Sequence, residues 1–147
     1  MFKLNPLNEL DIKDMFDEVQ RSRNSLVELG WLTTIDWRLF YHHYQSIIAQ
    51  RKIDIFAIRV GTDYAGQVEI NDCVDHYVIG YWLGENYRRK GLATQAMKQV
   101  LDRLDGRDVI ADTLIENLPS AKVLERLGFK LEKTNKTHNF YRLTRYK

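Results

Sequence analysis

The segment from residue 77 to residue 104 constrains the fold of this 147-residue chain most, because strand, glycine loop and helix follow one another directly. Residues 77–83 predict a strand, and Gly91 lies in the loop that follows it. The helix is predicted by an unbroken apolar stripe, namely Ala93, Ala96, Met97, Val100, Leu101 and Leu104. We therefore expect a sheet that packs on this helix, with the glycine loop at the helix N-terminus.

The rest of the chain continues the same alternation of strands and helices. Apolar spacings of three and four predict helices around residues 12–19 and 37–48, and Thr33 or Thr34 is expected to cap the second. Residues 119–127 predict a last helix that ends at Gly128. Further strands are predicted at residues 2–7, 53–60, 64–70, 109–113, 129–133 and 138–145. The order β α α β β β α β α β β predicts a single α+β domain over residues 1–147, with a mixed sheet flanked by helices.

Composition narrows the classes of partner. The 22 Lys and Arg against 20 Asp and Glu leave a net charge of only +2, so we expect no nucleic-acid partner. No apolar run approaches the ~20 residues that a spanning helix needs, so we expect no membrane association. The single cysteine, Cys73, cannot form an internal disulfide, and the first residues do not resemble a signal peptide. These features predict a cytoplasmic protein.

The loop at residues 88–94 predicts a phosphate site. Its amides lie at a helix N-terminus, where unpaired N–H groups and the helix dipole attract anions. Gly91 allows close approach of the backbone to an anion, and Arg88, Arg89 and Lys90 add positive charge. A solvated basic loop is the alternative. A Walker loop and a dinucleotide fingerprint are excluded, because the segment lacks both the Gly-Lys-Ser/Thr run and the glycine triplet.

The order of the motifs resembles the GNAT acyltransferase superfamily. Arg88-x-x-Gly91-x-Ala93 is similar to its Gln/Arg-x-x-Gly-x-Gly/Ala signature. Ile79-Gly80-Tyr81-Trp82-Leu83 precedes it, and Asn117-x-x-Ser120 with Leu124-Glu125-Arg126-Leu127-Gly128-Phe129 follows it. These flanking motifs resemble the RimJ/RimL branch, which acetylates protein N-termini and other amines. The resemblance implies the GNAT fold, a mostly antiparallel sheet of about 6–7 strands whose central strands splay apart.

The resemblance also implies acetyl-CoA as the co-substrate, with no metal. The pantetheine arm is expected to enter the gap between the splayed strands, because its amides need strand-like backbone partners. For the side chains of Tyr81 and Trp82, ordinary sheet packing is the alternative. The coenzyme contacts implied are Tyr81, Trp82, Leu83, Arg88, Arg89, Lys90, Gly91, Leu92, Ala93, Thr94, Asn117 and Ser120.

The implied reaction is direct attack of a neutral amine on the acetyl thioester, with the oxyanion held by a backbone amide of the splayed strand. By resemblance, Ser120 lies near the sulfur, and either Ser120 or a water protonates the departing thiolate. Leu124 occupies the place where other relatives carry a tyrosine for this task. A purely structural role as helix caps is the alternative for Asn117 and Ser120.

The general base is left unassigned by the sequence. Many relatives carry Glu immediately before Ile-Gly-Tyr, where this chain has Val78. The nearest substitutes are Glu69, His76, Tyr77 and Glu116, each of which also fits an ordinary surface position. The acceptor side is expected to include Arg23, Trp31 and Asp36.

Three kinds of function are compatible with these motifs. The acceptor is either a protein N-terminal amine, such as that of a ribosomal protein, or a small amine such as a polyamine or antibiotic. An acidic cleft lining would favour the small amine. A non-catalytic acyl-CoA-binding regulatory module is the third hypothesis, which the missing carboxylate at Val78 supports. Both a monomer and a homodimer are compatible with the sequence.

Overall fold

The computed structural model describes residues 1–28, 34–51 and 53–145. Its strands are β1 (Lys3–Pro6), β2 (Asp54–Val60), β3 (Asp63–Asp72), β4 (His76–Leu83), β5 (Asp108–Leu114), β6 (Lys130–Thr134) and β7 (His138–Leu143). They form one seven-stranded sheet in the order β1-β2-β3-β4-β5-β7-β6. Within it β4 and β5 are parallel, and the other neighbours are antiparallel. The predicted α+β fold with a mixed, mostly antiparallel sheet is confirmed.

The helices are α1 (Asp11–Arg21), α2 (Arg23–Glu28), α3 (Trp37–Gln50), α4 (Leu92–Arg103) and α5 (Leu118–Arg126), with a 3-10 turn at Glu85–Tyr87. The sequence did not predict α2, because six residues with one buried side chain, Leu26, are too few to show a helical period. None of the helices in the described ranges is long and apolar enough to cross a bilayer.

The N-cap of α3 differs from the prediction. The Asp36 carboxylate accepts hydrogen bonds from the amides of Arg38 at 2.9 Å and Leu39 at 3.2 Å. Thr34 lies two residues before this cap, and Thr33 lies outside the described residues. The predicted threonine cap is therefore wrong, because an aspartate closer to the first turn satisfies its amides.

Two apolar cores pack on opposite sides of the sheet. On one side, which we call the α4 face, α4 and α5 contribute Met97, Val100 and Leu124. On the other, the α3 face, α1 to α3 contribute residues such as Met15 and Phe40. Since successive strand residues point to opposite sides, each strand residue belongs to one of these faces.

The central strands part as the resemblance implies. β4 pairs with β3 along its length, from Tyr77 opposite Asp72 to Leu83 opposite Gly66. Its pairing with β5 is confined to residues 76–78 opposite residues 108–110. The backbone of residues 79–83 is therefore paired on the β3 side only, and a gap opens toward β5.

Gly66 permits a very close contact between β3 and β4. Its φ is +156°, and a Cβ built at this position would lie 2.1 Å from the Trp82 carbonyl oxygen. Real Cβ atoms essentially never approach another heavy atom so closely. The tight pairing of β4 with β3 beside the gap therefore depends on glycine at this position.

Candidate active site

A cleft of about 930 Å³ opens where β4 and β5 part. Residues 78–83 of β4 line one side of it, and residues 111–114 of β5 line the other. Its lining also includes the start of α4 and α5 on one face of the sheet, and Glu69 and Ile53 on the other. The cleft therefore runs through the sheet, from the α4 face to the α3 face.

The loop before α4 forms the α4-face entrance. Arg89 and Gly91 both have left-handed backbone conformations, with φ values of 63° and 76°. Left-handed residues in such turns are typical of backbone concavities that bind anions. Gly91 is the N-cap of α4 and supplies no side-chain cap, so the first amides of the helix are left for a ligand. This is the local geometry that the glycine loop predicts.

Arg88 anchors this loop to the sheet. Its guanidinium donates two hydrogen bonds to the Leu83 carbonyl, at 3.0 and 2.8 Å, where β4 ends. Burial lowers its pKa, although Glu85 and Tyr81 oppose the shift. The predicted coenzyme residues Arg88, Arg89, Gly91, Leu92, Ala93 and Thr94 line the cleft. Lys90 is the member of this predicted run that does not line it.

Two cations of α5, which the sequence analysis missed, line the same half of the cleft. Lys122 and Arg126 lie four residues apart and therefore on one side of the helix. Their spacing within the predicted helix at residues 119–127 is a signal that would have found them. The positive charge of the α4-face half thus comes from the loop and from α5 together.

The start of α5 brings Ser120 next to Tyr81. Asn117 caps the helix, and its side-chain oxygen accepts a hydrogen bond from the Ser120 amide at 3.2 Å. Ser120 itself is buried, with 8% of its surface exposed. Burial raises the pKa of Tyr81, and the neighbouring Ser120 hydroxyl opposes that shift. The predicted residues Asn117, Ser120, Tyr81, Trp82 and Leu83 all line the cleft.

Glu69 is the predicted base that lines the cleft. It lies on β3 opposite Gly80 of β4, beside the gap. Its Oε2 accepts a hydrogen bond from the side-chain nitrogen Nε2 of Gln67 at 2.6 Å. Burial raises the pKa of the carboxyl, and the hydrogen bond from Gln67 opposes the rise. A carboxylate with a raised pKa in a cleft is suited to proton transfer near neutral pH.

The other three base candidates lie away from the cleft lining. His76 contacts Asp75 at 2.6 Å, at the end of β4 that is still paired with β5. The Tyr77 ring is buried beneath the Arg107 guanidinium, 4.1 Å from its centroid. Glu116 is exposed in the turn before α5. The structure therefore does not place His76, Tyr77 or Glu116 beside Glu69 in the cleft lining.

The predicted acceptor residues are also apart from the cleft. Arg23 begins α2, Asp36 caps α3, and neither lines the cleft. Trp31 lies outside the described residues.

Asp112, His138 and Asn71 line the cleft although the sequence analysis did not select them. The Asp112 carboxylate and the His138 imidazole are 3.9 Å apart. The Asp112 side chain points to the α3 face, because the side chain of its neighbour Ala111 belongs to the core on the α4 face. These residues come from three strands, so no local pattern in the sequence links them.

Charge is separated along the cleft. The lining cations belong to the α4-face half, namely Arg88, Arg89, Lys122 and Arg126. The lining carboxylates, Glu69 and Asp112, belong to the α3-face half. One end therefore suits an anionic ligand and the other a cationic ligand.

A sequence model of the acetyltransferase (GNAT) domain matches residues 2–130. The chain belongs to the GNAT acetyltransferase family. This confirms the family and the enzyme class that the motifs predicted. No curated protein sequence matches the chain.

Solved structures of acetyltransferases share its fold. RimL, a ribosomal L7/L12 alpha-N-protein acetyltransferase in complex with coenzyme A, has a TM-score of 0.84 and 18% identity, covering 97% of this chain and 93% of that chain. A Salmonella typhimurium acetyl transferase that modifies the N-terminal serine of 50S ribosomal subunit protein L7/L12 has a TM-score of 0.82 and 21% identity, covering 97% and 94%. The microcin C7 self immunity acetyltransferase MccE, in complex with acetyl-CoA and AMP, has a TM-score of 0.80 and 19% identity, covering 97% and 92%. The predicted likeness to RimJ/RimL enzymes is thus confirmed at the level of the fold.

Proposed function

We propose that this protein transfers an acetyl group from acetyl-CoA to a primary amine. The observation that carries the proposal is the parting of β4 and β5 directly beside the loop at residues 88–94. Apart from the Leu83 carbonyl, which Arg88 occupies, the edge of residues 79–83 that faces the gap supplies strand-like partners for the amides of the pantetheine arm. The left-handed loop and the first amides of α4 suit the pyrophosphate at the end of that arm.

The remaining phosphate of the coenzyme, on its ribose, is assigned to α5. Lys122 and Arg126 line the cleft one helical turn apart, on the same half as the pyrophosphate loop. Cations at this position neutralise a further phosphate without a contact to the reacting atoms. Their contribution is therefore to coenzyme affinity.

In the proposed mechanism, the two ends of the cleft handle the two proton transfers. The amine nitrogen attacks the thioester carbonyl carbon, and a backbone amide of the unpaired segment of β4 stabilises the oxyanion. Glu69, on the α3 face, accepts the proton that the amine loses, directly or through water. The C–S bond then breaks, and Ser120, on the α4 face, donates a proton to the thiolate. Glu69 releases its proton to solvent and Ser120 regains one, so the enzyme returns to its starting state.

The acceptor is assigned to the α3-face half of the cleft. A protein N-terminal amine is the first candidate, because the Salmonella typhimurium acetyl transferase of similar fold modifies the N-terminal serine of a ribosomal protein. A small polyamine is the second candidate. The specific observation in its favour is the pair of carboxylates Glu69 and Asp112 on this half, since a second ammonium group gains an additional ionic contact there.

Thiol release measured with acetyl-CoA tests the proposal. The acceptor panel contains spermidine, serine-initiated peptides and an N-terminally blocked peptide as the matched control. We expect turnover with a free primary amine and none with the blocked peptide. Binding of acetyl-CoA by calorimetry without turnover of any acceptor would instead support the non-catalytic module, and absence of binding would refute both.

A further inference from the structure

A short polar network lies behind Glu69, on the α3 face of β3. The Tyr64 hydroxyl donates to the Gln67 side-chain oxygen at 2.7 Å, and the Gln67 side-chain nitrogen donates to Glu69 Oε2 at 2.6 Å. Gln67 is 0% exposed and Tyr64 is 2% exposed. Buried polar groups are costly unless their hydrogen bonds are complete, so this network is maintained in one arrangement.

The direction of the network is determined by Glu69. A carboxylate only accepts hydrogen bonds, so the Gln67 NH₂ group must point toward it. The Gln67 oxygen then points the other way and needs a donor, which the Tyr64 hydroxyl provides. The reverse orientation would place the amide oxygen against the carboxylate and would leave both without a donor. Tyr64 therefore maintains the orientation of Gln67, and Gln67 that of Glu69.

We propose that Gln67, held by Tyr64, is a positioning residue that fixes the Glu69 carboxylate with one oxygen occupied and the other available to the acceptor amine. This inference rests on the proposed function, in which Glu69 is the base. Within the described part of the chain, Oε1 makes no hydrogen bond. One fixed carboxylate oxygen restricts side-chain rotation, which places the base in reach of its proton.

The surroundings of Glu69 make its pKa sensitive to Gln67. Tyr44 of α3 and Tyr64 face it, and both phenols have pKa values raised by burial and by the Glu69 charge. Its strand neighbours are Ile55 of β2 and Gly80 of β4, neither of which carries a charge. Across the cleft lie Asp112 and His138. The Gln67 amide is the group that favours the ionised form of Glu69, while burial disfavours it.

The variant Gln67→Met tests this directly, because methionine conserves length and removes both polar atoms. Carboxyl ¹³C resonances are titrated in the wild type and the variant, and the Glu69 signal is identified by its loss in Glu69→Gln. We expect the Glu69 pKa to rise in Gln67→Met and to rise less in Tyr64→Phe. Ser120→Ala, on the opposite face, is the control and should leave the Glu69 pKa unchanged. An unchanged Glu69 pKa in Gln67→Met would overturn the inference.

Kinetics with acetyl-CoA and either spermidine or a serine-initiated peptide supply a second readout. The ascending limb of the kcat profile should move to higher pH in Gln67→Met, so that kcat falls roughly tenfold more on the acidic side than on the alkaline side. Acetyl-CoA affinity should be unchanged. A uniform loss of kcat across pH would identify Gln67 as merely structural. If Gln67→Met does not fold, Tyr64→Phe is tested in its place, by the ascending limb of the kcat profile and by the titration of the Glu69 carboxyl.

The proposed function and this inference fail in different ways. If Glu69→Gln keeps the ascending limb, then Glu69 is not the base, and this inference fails while the proposed acetyl transfer stands. If no amine is turned over by the wild type, the proposed function itself fails. If Glu69→Gln abolishes the limb but Gln67→Met leaves it in place, only the positioning role of Gln67 is refuted.

Discussion

The two halves of the cleft are built in different ways. The α4-face half uses mainly backbone from two continuous segments, at residues 79–94 and 117–126, whose conformations follow from glycine, helix caps and strand ends. The α3-face half uses side chains from β3, β5 and β7, which are separated by up to 69 positions from Glu69 to His138. A half built from local backbone has a sequence signature, whereas a half built from dispersed side chains depends on the completed sheet.

Gly91→Glu is expected to have the largest effect, because it places a negative charge and a side chain at the proposed pyrophosphate site. Acetyl-CoA affinity measured by calorimetry should fall at least about 100-fold. Gly91→Ala is the matched control, since it introduces the strain of a left-handed residue at φ +76° without the charge. The nearest atom to its Cβ is 3.9 Å away, so alanine has room and should cost only about 1 kcal/mol of stability. If the wild type and Gly91→Glu bound acetyl-CoA with equal affinity, the proposal that the backbone of the α4-face half binds the coenzyme would be refuted.

Glu69→Gln tests the side-chain half. Loss of the proposed base should lower kcat about 100-fold while acetyl-CoA affinity is retained. The free energy of unfolding at neutral pH should rise in this variant, whereas kcat falls. Because burial raises the Glu69 pKa, the folded state binds this proton more tightly than the unfolded state, and stability falls as pH rises above the usual carboxyl range.

Glutamine removes that charge, so the free energy of unfolding at neutral pH should be higher in Glu69→Gln than in the wild type. Urea denaturation at several pH values measures this difference, which should disappear at acidic pH. A variant that loses both activity and stability at neutral pH would indicate a structural role for Glu69 instead.

Ser120→Ala should have a smaller effect, because water can replace a serine hydroxyl as the proton donor. We expect kcat to fall about tenfold and the acetyl-CoA dissociation constant to change little. The Asn117 cap bonds to the Ser120 amide and is therefore retained in this variant. Asn117→Ala is the comparison, with an expected loss of about 1 kcal/mol of stability. Equal losses of turnover and coenzyme affinity in Ser120→Ala would favour a capping role.

Asp112→Asn should have the smallest effect. The Asp112 side chain is 46% exposed, so its ionic contact with an acceptor is weakened by solvent. We expect KM for spermidine to rise about threefold and KM for a serine-initiated peptide with no other cation to rise less. Equal values of KM in the variant and the wild type for both acceptors would remove Asp112 from the acceptor site.

The sequence predicted the elements that depend on periodicity and on glycine. The apolar stripe from Ala93 to Leu101 is buried as expected, and Gly91 has the positive φ that its place in the loop suggested. The gap between β4 and β5 followed from the resemblance, which carries tertiary information that local patterns do not contain. The strand order places β7 beside β5, so His138 and Asp112 meet although they lie 26 positions apart in the sequence.

The wrong helix cap and the open choice of base share one physical origin. The sequence favours threonine as the cap of α3 because propensity alone does not distinguish Thr34 from Asp36, two residues further on. Four residues are candidates for the base because predicted strand position alone does not distinguish which of their side chains lies at the gap. Only the packed structure shows that Tyr77 lies under Arg107, and that Glu69 lies at the gap. Burial and charge environment are properties of the assembled sheet.

The contact between Gly66 and the Trp82 carbonyl has a consequence for ligand entry. Any side chain at residue 66 would push β4 away from β3, and the direction left open to β4 is toward β5. The width of the gap is therefore set by a residue that is not among those lining the cleft. A larger side chain at residue 66 would narrow the passage between the α4-face half and the α3-face half of the cleft. It would thereby separate acetyl-CoA from the acceptor amine without altering a residue that contacts either molecule.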